Sequence, residues 1–314
     1  MPTPVLRSLH VRPVKSLGGP SPLVAAVEPW GLAGDRRWAL LDPAAKVVSQ
    51  RSHPRLALAF AEPLTAPAAA GAEDGHASGG SEDGAPYEGV DGTRYGSGDG
   101  GIRLSAPGVE PLTVAVPEPG ATVTAEVFGT KVEAVPAGEA ADAWFRAFLD
   151  DDVRLVHMDD PAHRRPVNPK YGRPGETVNF ADGYPVLVTS VASLDALNDL
   201  IAEGDHPGEG PLPMDRFRPT VVVEGTAPWA EDRWTRLAIG DVTFRVAKPC
   251  GRCVVTTVDQ STGQRGTEPL RTLARHRLFG RKMVFGQHLI PENTGTLRVG
   301  DPVRVLGQEP SPVA

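Results

Sequence analysis

The sequence predicts a β-rich α+β protein. Gly (35) and Pro (32) are abundant in the 314 residues while aromatics are few, which marks a chain of many turns. Short alternating or β-branched runs recur along the chain, and few segments show helical periodicity. With 40% apolar residues the chain can build real cores, in one to three domains.

Residues 5–14 alternate and read as a strand ending at Pro13. Lys15-Ser16 beside Gly18-Gly19 forms a turn that can wrap an anion; the plainer reading is a solvated lysine. Residues 38–42 and 46–50 read as a hairpin around Pro43-Ala-Ala. Just before it, Arg36 presents a planar fork suited to phosphate oxygens, and Arg37 reads as its outward-facing neighbour.

From 63 to 101 the composition shifts to Ala, Gly, Ser, Asp and Glu with almost nothing to bury. This reads as a disordered acidic surface insertion between two strands, tolerated because long surface loops cost little stability. Seven acids between Glu73 and Asp99 face Arg94 alone, so most of the formal charge of −7 lies here. The remainder is nearly neutral, and bulk charge gives no support to nucleic-acid binding.

Strand-like segments return at 102–105 and 112–116, and 122–127 and 131–135 flank Phe128-Gly-Thr. Residues 139–149 place Ala141, Trp144 and Phe148 on one face, predicting a helix with a core-facing stripe. A module boundary is placed near Val135. Residues 153–157 read as a strand and 163–173 as a basic loop suited to a redox partner or substrate, while lone His157 and His163 read as ordinary histidines. Residues 184–190 read as a strand leading to a helix with Ser193 as N-cap, a Leu194, Leu197 and Ile201 stripe, and Gly204 at its end. Thr189 and Ser190 thus arrive at a helix mouth, as a phosphate seat or as simple capping. Arg218, before the strand 220–224, is an anion clamp or a structural ion-pair partner. Residues 268–278 read as a helix with Pro269 near N1 and a solvated arginine face, and 285–290 as a strand carrying His288.

Both cysteines of the chain lie in Lys248-Pro-Cys250-Gly-Arg252-Cys253, between the strand-like runs 242–247 and 254–258. A thioredoxin-like pair needs a helix N-terminus that this pattern lacks. A structural zinc site needs about four ligands, and no second knuckle is present. A disulfide is unusual without a secretion signal. One soft thiolate in an arginine-bearing turn suits a single bond to a thiophilic metal whose other ligands come from a cofactor. No apolar run approaches the roughly 20 residues of a membrane span, and the first residues lack a signal-peptide pattern. A cytoplasmic location without membrane contact is expected.

Pro249-Cys-Gly-Arg-Cys253 with Thr256-Thr-Val-Asp259, Phe285-Gly-Gln287 and Asn293-x-Gly295-x-Leu-x-Val-Gly300-Asp301 resembles the MOSC domain of molybdenum-cofactor proteins. Pro13-Val-Lys-Ser16, Gly34-Asp-Arg-Arg-Trp38, Gln50-Arg and Pro54-Arg-Leu56 resemble the β-barrel-like module that precedes it in the subgroup of the mitochondrial amidoxime-reducing component. The resemblance implies an N-terminal β-barrel-like module over 1–135 and a MOSC β-barrel domain with peripheral helices over 136–314. It implies that Lys15, Ser16, Arg36, Thr189, Ser190 and Arg218 contact the molybdenum cofactor, that Cys253 is the catalytic metal ligand, and that Arg252 supports the turn or the pterin. Cys250 is then non-ligating, and His288 is a candidate for the substrate pocket.

The activity implied is reduction of N-hydroxylated compounds such as hydroxylamines, amidoximes and N-hydroxylated bases. An iron–sulfur domain would need about four further cysteines, so no iron–sulfur cluster is expected and electrons are expected from a separate ferredoxin, flavoprotein or haem protein. A fused pyridoxal-phosphate-dependent module is not expected either. The alternative from another class is a non-catalytic carrier of sulfur, as a cysteine persulfide, or of the cofactor.

Overall fold

Valine-rich runs in the second half of the chain build the main sheet. In the computed structural model, which describes residues 3–65, 87–88, 94–95 and 99–310, seven strands lie in the order Val5–Leu9, Val221–Glu224, Val186–Ser190, Lys282–Pro291, Val242–Gly251, Trp234–Ile239 and Val303–Gln308. An eighth, Leu278–Phe279, folds back on Lys282–Pro291. Pairing is antiparallel except between Val186–Ser190 and Val221–Glu224, and a crossover helix, Val191–Ala202, connects that parallel pair. The sheet's two ends meet where Val5 bridges Pro302 and Val303 N–H donates to the Pro4 carbonyl at 2.8 Å, which curls it into a barrel. Leu6, Val188, Val223, Leu237, Phe244 and Leu289 fill its interior.

The first part of the chain forms smaller sheets. Val123–Val127, Thr130–Pro136, Arg154–His157 and Trp38–Leu41 pair in that order, and Phe60–Leu64, Gly101–Ala106 and Val109–Val114 form a second sheet. The helix Glu139–Leu149 packs Trp144, Phe145 and Phe148 against Trp38, Leu40 and Ile102, each buried aromatic contributing roughly 2 kcal/mol. Strand pairing crosses the expected boundary at Val135 in both directions. Val5–Leu9 belongs to the main sheet, Val24–Glu28 pairs with Gly295–Arg298, and Arg154–His157 pairs with Trp38–Leu41.

Several expectations need correction. The strand expected over 5–14 stops at Leu9. The β-branched run after Cys253 is a 3-10 turn, Val254–Thr257, because the Thr256 and Thr257 hydroxyls donate to the carbonyls three residues back at 2.9 Å each. Ser190 is the N-cap of the crossover helix, and Ser193 lies inside its first turn. The later helix is confined to Leu270–His276. Its neighbour Arg277 is buried against Asp232 with its guanidinium 4.1 Å from the Trp229 ring, so that face is solvated only at Arg271 and Arg275. Arg37 turns away from Arg36 as expected, but toward the Met158 carbonyl rather than solvent. Of the insertion at 63–101, residues 63–64 and 101 continue strand pairing and Tyr87–Glu88 pairs with Arg94–Tyr95. Residue 65 and the turn at 99–100 are described as well, and the other residues of the insertion lie outside the described residues.

Candidate functional site

Cys253 stands where the strand Val242–Gly251 gives way to the 3-10 turn. Thr256 N–H and Oγ1 both donate to its carbonyl, at 3.0 and 2.9 Å. On the other side Arg252 is held by its N–H to the Met283 carbonyl (2.7 Å), Nε to Phe285 (2.8 Å) and Nη1 to Phe217 (3.0 Å). With both neighbours fixed, the half-buried sulfur faces a cleft of about 160 Å³. Cys250 borders the same cleft but is only 6% exposed, with its sulfur nearest the Gly251 carbonyl, and burial pushes its thiol up. The two thiols therefore differ in access to the cleft.

Of the residues singled out in the sequence, Lys15, Ser16, Arg36, Arg218, Arg252 and Cys253 line this cleft. Three of them hold unusual backbone. Among the described residues seven non-glycine residues have positive φ, and Ser16 (74°), Arg36 (46°) and Arg218 (50°) are in that set. Left-handed backbone costs about 1–3 kcal/mol at such residues and concentrates at functional sites. Here surrounding contacts fix it: Gln50 Nε2 donates to the Ser16 carbonyl (2.7 Å), Arg36 pairs with buried Asp35, and Arg218 Nη2 donates to the Leu17 carbonyl (2.6 Å).

Thr189 and Ser190 are not brought to the cleft. Both are fully buried; Thr189 Oγ1 faces the Met214 sulfur at 3.2 Å and Ser190 Oγ lies 2.7 Å from Thr226 Oγ1. The helix mouth is thus closed by protein contacts.

Cations outnumber carboxylates in the cleft. Burial pushes Lys15 down to about 8, although Asp182 draws it back up. Burial, then Arg12 and Arg36, push Arg218 well below its ordinary value. Desolvation raises the Asp182 carboxyl, but Lys15 and Arg51 outweigh it and hold the group well below the usual carboxylate range. Burial, then Arg252 and Lys248, push His288 down to about 3, so its imidazole is neutral. It lies 4.7 Å from the Tyr184 ring, and its Nδ1 is buried without a partner. Lone His157 is buried against Trp38 and His163 is exposed beside Asp160, neither near the cleft.

Sequence reasoning missed two residues of the site. Arg51 Nη2 reaches both Cys253 Sγ at 3.3 Å and Asp182 Oδ2 at 3.2 Å. Gln50-Arg51 was visible as part of the family pattern, without a role. Asp182, within Ala-Asp-Gly, gave no signal.

These residues fit an anionic metal cofactor. Arg252 Nη2 is buried with no hydrogen-bond partner, and a Cβ on Gly286 would stand 3.5 Å from it and 2.6 Å from the Val188 carbonyl, a crowding only glycine avoids at φ 78°. A surplus of guanidinium and ammonium groups around one accessible thiol suits a phosphate-bearing group with a thiophilic metal. Among the described residues no cluster of three or more His, Cys, Asp or Glu could hold a metal by protein ligands alone. No helix among them is long and apolar enough to cross a membrane.

Residues 175–304 match the MOSC domain and residues 3–74 the MOSC N-terminal beta barrel domain. The chain is similar to mitochondrial amidoxime-reducing component 1 of Homo sapiens, at 37% identity over 63% of this chain and 60% of that protein. It is similar to the Mus musculus protein of the same name at 31% identity, over 96% of this chain and 82% of that one. Molybdenum cofactor sulfurase of Danio rerio is 29% identical over 90% of this chain and 31% of its own length.

Proposed function

The chain belongs to the MOSC-domain family, in the branch that holds the amidoxime-reducing components, and from that premise we propose that it is a molybdenum-cofactor-dependent reductase of N-hydroxylated compounds. The observation that carries the reading is one accessible thiol, Cys253, in a cleft whose cations exceed its carboxylates.

In this reading the Cys253 thiolate is the protein's bond to molybdenum. Lys15, Arg36 and Arg218 hold the phosphate, and the Ser16 hydroxyl adds a hydrogen bond. Arg51 hydrogen-bonds the sulfur, and Arg252 braces the main chain before it while presenting its free Nη2 to the cleft. Asp182 keeps Lys15 and Arg51 in place. The cofactor, when bound, supplies two-electron reduction. For a hydroxylamine the balance is R–NH–OH + 2 e⁻ + 2 H⁺ → R–NH₂ + H₂O: the N–O bond breaks, nitrogen is reduced and oxygen leaves as water. Electrons come from a separate ferredoxin, flavoprotein or haem protein, and protons from solvent.

Similarity to the cofactor sulfurase supports a second reading, a carrier that holds sulfur or cofactor at the same thiol without turnover. Benzamidoxime with reduced methyl viologen separates the two. Molybdenum-loaded protein is expected to form benzamidine, Cys253→Ala to lose that activity and Cys250→Ala to keep it. Loaded protein that forms no benzamidine favours the carrier. Equal loss in both variants points to a dithiol site.

A further inference from the structure

We propose that the chamber outside the thiol cleft selects a planar N-hydroxylated base that carries a phosphate, with Phe128 as its aromatic shelf and Lys248, Arg281 and Lys282 as its phosphate rim. This rests on the reductase reading and narrows its substrate.

The chamber has a volume of about 420 Å³ and shares Arg51, Asp182, Tyr184, Arg252 and His288 with the cleft that holds Cys253. The two spaces are therefore continuous, and the outer one is of the size small-molecule sites have.

Phe128 is the most informative residue in it. It occupies the first position of the two-residue loop joining Val123–Val127 to Thr130–Pro136, with φ 50°, and Gly129 follows at 80°. Positive φ at both central positions is the type I′ pattern, where Asn or Asp fits and an aromatic residue is strained. The ring is 58% exposed, so core packing does not offset that strain. It is held over Arg51, whose guanidinium carbon is 4.9 Å from the ring centre. A strained backbone that holds an exposed ring over the site's own arginine points to use of the ring. Tyr184 supplies a second aromatic wall, with Lys248 Nζ 5.3 Å from its centre.

The rim adds charge. Asp182 is the one carboxylate lining the chamber among the described residues, and Lys15 and Arg51 already engage it. Arg281 and Lys282 are exposed, and burial, then Lys282, push the neighbouring Lys248 down. A neutral base would use the aromatic walls alone; the rim, whose Lys248, Arg281 and Lys282 line the chamber beside a single carboxylate already engaged elsewhere, suits an anion, and a phosphate at the outer end supplies it. Concavity favours a small molecule over an acidic donor protein.

The test compares N4-hydroxycytidine with its 5′-monophosphate as substrates of molybdenum-loaded protein, and cytidine with its 5′-monophosphate as non-reducible ligands by calorimetry. The phosphate is expected to improve kcat/KM and binding by about tenfold, the scale of one or two charge-assisted contacts. That ratio should collapse toward one in Arg281→Ala/Lys282→Ala. Phe128→Asn should raise KM for both substrates while raising Tm, because Asn fits the turn, so weaker binding there is not unfolding. Turnover of both compounds at equal kcat/KM would overturn this inference alone. So would a rim variant that raises KM for the donor protein and leaves the phosphate ratio intact. No turnover of either compound by protein that reduces benzamidoxime would also overturn this inference alone, whereas no turnover of benzamidoxime either would overturn the reductase reading and this inference with it.

Discussion

One nitrogen of Arg51, Nη2, lies 3.3 Å from the Cys253 sulfur and 3.2 Å from Asp182 Oδ2, tying the N-terminal module to the turn that carries the thiol. A guanidinium in that place can pair with a thiolate. In cofactor-free protein on a Cys250→Ala background, Arg51→Ala is expected to slow iodoacetamide alkylation of Cys253 several-fold, with Arg51→Lys between. An unchanged rate, followed by mass spectrometry, would remove Arg51 from this role.

Arg218 is buried among like charges, so its worth should appear only with the anion present. Arg218→Ala loses bonds to Leu17 and Gln260 but relieves repulsion from Arg12 and Arg36. The expected result is a Tm little changed in cofactor-free protein and a molybdenum content well below wild type. Unchanged molybdenum would remove the clamp assignment.

Acid should destabilise the fold above the range in which ordinary carboxylates titrate. Burial pushes His10, His157 and His288 from 6.5 down to about 3. Between those values the unfolded chain binds protons that the native chain refuses, so stability falls as the pH drops through that window. Glu231, raised by burial from 4.5 to about 7, opposes this, because the native chain holds its proton where the unfolded chain releases it. Three groups against one leave a net loss. Tm is expected to fall between about pH 7.5 and about pH 5, and to fall less in His157→Phe. A Tm that rises over this range would contradict the assignment.

Ser193 Oγ accepts from the Trp229 N–H and donates to Glu231 Oε2, both at 2.8 Å. Ser193→Ala leaves both without that partner in a buried setting, an expected loss of roughly 1–3 kcal/mol in chemical denaturation. A loss of only a few tenths would mean that water replaces the hydroxyl.

Local signals carried the sequence reading where contacts are local. The stripe of Ala141, Trp144 and Phe148 sufficed for the helix Glu139–Leu149, and the strand-like runs 122–127 and 131–135 were legible on either side of Phe128, where they pair as a hairpin. Composition failed at Val254–Thr257, where β-branched residues argued for a strand but two threonine hydroxyls stabilise a 3-10 turn. It failed again at Arg277, whose buried partner Asp232 is 45 positions away. Six cleft residues were legible because they sit in family motifs. Asp182 was not, because its meaning comes from Lys15 and Arg51, 167 and 131 positions distant. Thr189 and Ser190 matched the motif, yet their side chains face Met214 and Thr226.

The most direct measurement is molybdenum by elemental mass spectrometry on wild type, Cys250→Ala and Cys253→Ala purified from a cofactor-competent host, with a cofactor-deficient host as control. Near one metal per chain in wild type and Cys250→Ala, and loss in Cys253→Ala and in the control host, is the expected result. Folded wild-type protein without molybdenum from the competent host, or full loading of Cys253→Ala, would contradict the account.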